Sequence, residues 1–276
     1  MRCGVKQTFQ FLKIICGTFF PVNELCYFLS YLSITKNLIM TSKFLTTAKE
    51  LGKIPVPTKT DSYSPVPHSK VIDMTVKAIK KAGMEIKSTT YQMASDGSKA
   101  FGAYEIGTAD KEMNIRLMWH NSYNKTMPLR WALGAHVIVC ENGMVQGELG
   151  AFKRKHTGNV MEFFKQEVEA HVAKAGEMFQ KLVEDRETMK KIALDKKAVA
   201  ELVGRMYIEE ALINTTQLAI LKREIENPSF NYNADGSVWQ LYNHATVALK
   251  VVHPHGHIAA HSNLHKFFTK EFLAAK

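Results

Sequence analysis

The chain has 276 residues, a formal charge of +10, and 46% hydrophobic, 10% aromatic and 22% charged residues. That length suffices for one large domain or two small ones, and the composition excludes wholesale disorder. The basic excess attracts nucleic acid or an anionic membrane surface without choosing between them. Four cysteines (Cys3, Cys16, Cys26 and Cys140) lack the density and spacing of a disulfide scaffold or zinc site, and the single one in the body suits a reducing compartment.

Residues 1–39 form an atypical hydrophobic leader. Its stretch FLKIICGTFFPVNELCYFLSYL is aromatic and apolar, but Lys13, Pro21, Asn23 and Glu24 interrupt any clean membrane span, and no signal-cleavage site follows. Met40 opens a normally composed segment and reads as the natural start; a hydrophobic arm for self-association or anchoring is the alternative. Residues 40–68 are proline-rich, and the Pro-Val-Pro repeats at 55–57 and 65–67 favour a stiff, extended linker or an arm lying across a neighbour. A helix is expected from about Ser69, its possible N-cap, with Val71, Met74, Ile79 and Ala82 on one side and Gly83 as terminus.

Strands follow at Glu85–Met93, Ala100–Ile106, Met113–His120, Trp131–Cys140 and Met144–Leu149, with turns at Asp96-Gly97, near Asp110 and at Asn142-Gly143. From Val160 to about Leu194 an apolar stripe through Phe164, Val168, Val172, Phe179, Leu182 and Met189 predicts one long helix packed along a seam. Asp195–Ile225 adds one or two helices and Ser237–Val252 another, joined by a turn-rich connector. The fold class is α+β: an antiparallel β-meander packed with helices, then a mostly helical C-terminal half. The sheet core covers 69–158, the helical region 159–252 and a histidine-rich tail 253–276.

The chemistry concentrates in Trp119–Gly158. Lys153, Arg154, Lys155 and His156 precede a helix start and could cradle phosphate, with Arg116, Lys125 and Arg130 extending the patch. Trp119, Tyr123, Trp131 and Phe152 are spaced through the same region as candidate base-stacking faces. The alternative pairs Arg130 and Arg154 with Glu141 or Glu148 and buries the tryptophans. The tail histidines His253, His255, His257, His261 and His265 could bind zinc, nickel or copper from one strand or helix face; a polar surface tail is the alternative. Cys140 reads as a small buried hydrophobe. No glycine-rich nucleotide loop is present, and no cofactor is expected.

The blocks SYNKTMPLRWALGAHVIVCENGMV, FKRKHTG at 152–158 and GSVWQLYNHATVAL at 236–249 resemble an uncharacterised family of phage- and plasmid-encoded proteins, number 932 among the domains of unknown function. The resemblance runs from about Tyr63 to about Leu249 and implies a mobile-element origin and the cytoplasm of a bacterial host; it carries no catalytic residues to transfer. The element order is also distantly similar to the core of single-strand-annealing recombinases, an analogy that does not establish function. Together these lead to a non-enzymatic nucleic-acid-binding protein, expected to bind or anneal single-stranded DNA. The alternatives are a homo-oligomeric structural or host-interaction protein, and a metal-dependent hydrolase or nuclease. No membrane partner is expected for the body of the chain.

Overall fold

The structure, a computed structural model, describes residues 45–138, 142–145, 151–252 and 256–273. They belong to one compact unit, Phe44–Lys276. The hydrophobic leader, Cys140, Glu141, Glu148, His253 and His255 lie outside the described residues.

A capping box at Thr47 shapes the first described elements. Its side chain accepts the Glu50 amide at 3.2 Å, and the Glu50 carboxylate accepts the Thr47 amide at 2.8 Å. This starts helix α1 (Ala48–Lys53) and turns the chain away after the two-residue strand β1 (Leu45–Thr46). The proline-rich segment then runs back over its own chain, burying Tyr63, Ser64 and Val66. Helix α2 (His68–Lys81) starts one residue before the expected Ser69, and its N-cap is Pro67, which has no side chain to cap with.

Six strands follow: β2 (Ile86–Met93), β3 (Lys99–Ile106), β4 (Met113–Ser122), β5 (Leu129–Val137), β6 (Asn142–Val145) and β7 (Ala151–Arg154). With β1 they form an antiparallel sheet in the order β1-β2-β3-β4-β5, and β6 and β7 share the far edge of β5. Asp96-Gly97 is the expected turn, with Gly97 at φ +69°. Asn142-Gly143 is not a turn: both residues lie in β6, opposite Val137 and His136. Strand β7 was not anticipated, because AFKR has no alternation long enough to announce it.

The period of two gives the sheet two different faces. The inner face carries Tyr104, Ile115, Leu117, Trp119, Leu133 and Val137, all buried. Against it pack α2 and the two halves of the expected long helix, α3 (Val160–Ala173) and α4 (Ala175–Lys191). The helix breaks at Lys174 because its halves serve different surfaces. Phe164 on α3 meets Phe152 of β7, whereas α4 lies under β4 and β5. The end of α4 is tied to the β3–β4 turn by Arg186, which grips Asp110 with two bonds of 2.8 and 2.9 Å, and by Lys190, 2.6 Å from Glu112. Burial alone would raise the Asp110 carboxyl; the Arg186 guanidinium and the amides of Glu112 and Met113 outweigh it and hold it below the usual range.

The remaining helices are α5 (Lys196–Gly204), continued by a π-turn Arg205–Glu209, then α6 (Thr215–Glu226), α7 (Val238–Ala248) and α8 (His257–Phe272). Helix α7 is buried nearly all round, with Trp239 and Tyr242 stacked at 5.6 Å. The expected histidine tail is core: α8 buries Leu264, Phe267 and Phe268, and Arg205 clamps its Glu271 at 2.6 and 2.7 Å. Among the described residues no helix is long and apolar enough to cross a membrane.

Candidate nucleic-acid interface

Strand register decides where each expected site residue goes. Trp119 faces inward from β4 and is 0% exposed; its ring lies over Gly102 of β3, and its Nε1 donates to the Tyr104 hydroxyl at 3.3 Å. Trp131 also faces inward, is 0% exposed, and stacks on Phe152 at 5.7 Å. Neither indole offers a free face, so the expected base-stacking role of Trp119 and Trp131 is corrected to core packing. The larger apolar area of an indole wins the buried side of the sheet.

Tyr123 and His156 are likewise turned inward, at 8% and 5% exposure. The Tyr123 hydroxyl accepts the His68 amide at 2.8 Å, and its ring stacks on the His68 imidazole at 3.9 Å. The Tyr63 hydroxyl donates to the Tyr123 carbonyl at 3.0 Å, and the Tyr63 ring stands edge-on to His156. These four rings fasten the proline-rich segment to the end of the sheet. His68 is fully buried, with Nε2 3.3 Å from the Gly97 carbonyl and Nδ1 2.9 Å from the Asn121 amide nitrogen. Burial pushes its pKa down to about 4; the Gly97 carbonyl opposes this and nearby His156 adds to it. Burial lowers His156 too, and the nearby Met127 carbonyl offsets only part of the effect. His156 is therefore a neutral structural residue and leaves the cationic cluster.

The cations remain outside. Lys153, Arg154 and Lys155 are exposed, at and just beyond the end of β7, and they alternate across its edge. Lys153 lies opposite Arg130 on the outer face, whereas Arg154 turns to the other side over the Phe163 ring at 4.8 Å. Lys125, in the β4–β5 loop with φ 61°, sits 4.7 Å from the Tyr63 ring centre. Among the described residues no carboxylate lies within ion-pair distance of Lys125, Arg130, Lys153, Arg154 or Lys155, whereas Arg186, Lys190 and Arg205 are all paired. Arg116 is set apart: its cross-strand neighbour is Glu105, which also lies 3.0 Å from His136.

The outer face holds residues that were not anticipated. Phe101 and Lys99 of β3 share it with Arg130, and the Phe101 ring stands edge-on against His120 of β4 at 4.7 Å. Alternation along MNIRLMWHNS was the available signal, because an inward Trp119 requires His120 to face outward.

A model of a domain of unknown function, DUF932, matches residues 57–262, which span strands β2 to β7 and the helices from α2 to the first turn of α8. The chain belongs to this family. No curated protein and no solved structure matches it.

In this DUF932 protein the tail histidines that can be placed do share a helix face. His257 and His261 have ring centres 6.1 Å apart, and His265 points to Asp185 at 3.4 Å. His261 and His265 are buried, and among the described residues no group of three or more histidine, cysteine or acidic side chains could hold a metal ion. The triplet 257, 261 and 265 is thus corrected to a packing face of α8, while His253 and His255 lie outside the described residues. Chemically, the rim sets ammonium and guanidinium donors side by side at the end of an edge strand.

Proposed function

We propose that this protein binds nucleic acid, gripping the phosphate backbone along the rim formed by Lys153, Arg154 and Lys155, with Arg130 behind it and Lys125 beside it. The observation that carries this reading is the gathering of five cations without described acidic partners at one corner of the sheet, in a chain of charge +10. Lys153 and Arg154 are consecutive on an edge strand and project to its two sides, with Lys155 just beyond its end. Such an arrangement suits a backbone that runs past the sheet edge. The family resemblance supports a phage or mobile-element setting in a bacterial host, where DNA strands are processed and annealed.

The test is binding as a function of salt. Replacing Lys153, Arg154 and Lys155 with alanine lowers affinity for every sequence alike and flattens the log–log salt slope by about 2–3, near one unit of slope per lost phosphate contact. An unchanged slope in the folded triple variant refutes the assignment.

A second reading, homo-oligomer formation, draws on the other sheet edge. Because α1 turns the chain away after Thr46, the outer edge of β2 from Ile86 to Thr90 has no described strand beside it. Light scattering decides this reading, and a monomer mass at working concentration sinks it.

A further inference from the structure

We infer that the cleft between the proline-rich segment and the start of α3 is a phosphate site, which takes the terminal phosphate of the bound strand. This rests on the nucleic-acid reading above and adds to it the place and the chemical form of the strand end.

The cleft has a volume of about 490 Å³ and is lined by Lys59, Thr60, Asp61, Ser64 and Gly158. Two walls form it. On one side the chain reverses between Thr60 and Tyr63, whose amides and carbonyls pair at 2.9 and 3.2 Å. On the other, Lys155 and His156 lead from the rim into Gly158 and helix α3. The Ser64 amide donates to the His156 carbonyl at 2.8 Å and fastens one wall to the other. The cleft therefore continues the line of cations that begins at Lys153.

Its donors come from three sources. Lys59 is exposed, with no carboxylate within ion-pair distance among the described residues. Ser64 lines the cleft although it is only 8% exposed, and its hydroxyl has no hydrogen-bond partner among the described residues. A hydroxyl so deeply placed is costly unless something completes its bonding, so Ser64 is the residue that points to a ligand. Helix α3 supplies the third source. Its N-cap, Asn159, makes no side-chain cap bond, which leaves the first-turn amides to an anion that the helix dipole favours. Gly158, at φ +57°, keeps the space open, with no atom within 4 Å of where a Cβ would stand. Glu162 of the first turn does not fill that space, since its carboxylate accepts the Gln166 amide nitrogen at 3.2 Å. Asp61, the acidic residue of the lining, is exposed and offers an acceptor to base or sugar rather than to the phosphate.

The number of donors separates the end of a strand from its interior. A terminal phosphate monoester carries about two negative charges at neutral pH and three free oxygens. An internal phosphodiester has one charge and two free oxygens, and its chain must leave on both sides. Ammonium, hydroxyl and amide donors brought together from two walls fit the monoester.

The experiment measures anisotropy of dT20 labelled with fluorescein at one end and carrying a phosphate or a hydroxyl at the other, in both polarities. The proteins are the full chain, its Lys59→Ala, Lys59→Arg and Ser64→Ala variants, and the rim triple-alanine variant. Ser64→Ala removes a hydroxyl that holds nothing in the free protein, so the fold is retained. The expected result is about a tenfold wild-type preference for a phosphate end, lost in Lys59→Ala and Ser64→Ala and kept in Lys59→Arg, with hydroxyl-ended binding unchanged. The rim variant weakens both strands alike and keeps the ratio. Millimolar thymidine 5′-monophosphate at constant ionic strength brings the phosphate-ended strand to the affinity of the hydroxyl-ended one. Equal wild-type affinity for the two ends in both polarities overturns the inference, as does a preference that survives both Lys59→Ala and Ser64→Ala. A monophosphate that displaces both strands equally overturns it too, by assigning the cleft to internal phosphates. If the end preference fails while the rim variant loses affinity, the nucleic-acid reading stands alone; if the rim variant also binds as wild type does, both readings fall.

Discussion

The ring cluster beneath the proline-rich segment makes stability depend on pH in a calculable way. His68 is fully buried, and its pKa is lowered from 6.5 to about 4. Its Nδ1 already faces the Asn121 amide nitrogen, which also donates to the Val66 carbonyl at 2.7 Å. A proton on Nδ1 would therefore set donor against donor. With the folded pKa depressed, the unfolded chain takes up the proton first. The stabilisation is complete above about pH 6.5, falls as pH drops through that value, and levels off below about pH 4. Linkage across that interval amounts to about 3 kcal/mol in full and about 2 kcal/mol by pH 5. Urea unfolding at pH 7.5 and pH 5, for wild type and His68→Gln, measures it. Burial also lowers His156 and His244, so the wild type loses more than the His68 share alone. The variant isolates that share: it starts less stable at pH 7.5, having lost the stack on Tyr123, but its further loss on acidification is smaller by about 2 kcal/mol. Equal pH dependence in the two proteins refutes the reasoning.

Three further predictions concern packing. In Gly102→Ala the new Cβ would sit 2.4 Å from the Trp119 ring, which is sealed on all sides, so the variant loses about 1–3 kcal/mol; an unchanged urea midpoint would contradict that contact. Arg186→Ala strips Asp110 of its two-bond partner and releases the end of α4, at a loss of about 2–3 kcal/mol by chemical denaturation, and a change within error would show the clamp to be idle. All three native tryptophans should resist iodide quenching in the folded protein, and ready quenching would place at least one of them at the surface.

The meander was legible because its strands alternate and its first hairpin carries Asp96-Gly97, a turn that local chemistry alone specifies. The single long helix was misread for a physical reason. An apolar stripe continues through Lys174, but a stripe does not reveal that its halves pack on different elements, one on Phe152 and the other under β4 and β5. The C-terminal histidines looked like a tail because Pro254 and Gly256 read as a loop, while Leu264, Phe267 and Phe268 just beyond them carry the helix into the core. Short β7 could be recognised only through its partner, since four residues acquire strand identity from the register with Leu129–Ala132.

The candidate site was half legible for a related reason. Clustering along the chain correctly brought Arg130 and Lys153 together, but it grouped them with Trp119 and Trp131, which the pleat sends to the opposite side. In a sheet with one covered face, sequence neighbours are separated and residues paired across strands are joined. A site on such a sheet must therefore be read across the strands. Arg130 of β5 and Lys153 of β7 face each other across more than twenty intervening residues, and only the pairing of their strands brings them together. Near Trp119, the same pleat that hides the indole requires its neighbour His120 to face outward, where it braces Phe101. The contact of His120 with Phe101 and the packing of the core thus follow from a single choice of register, and a one-residue slip of β4 would destroy both at once.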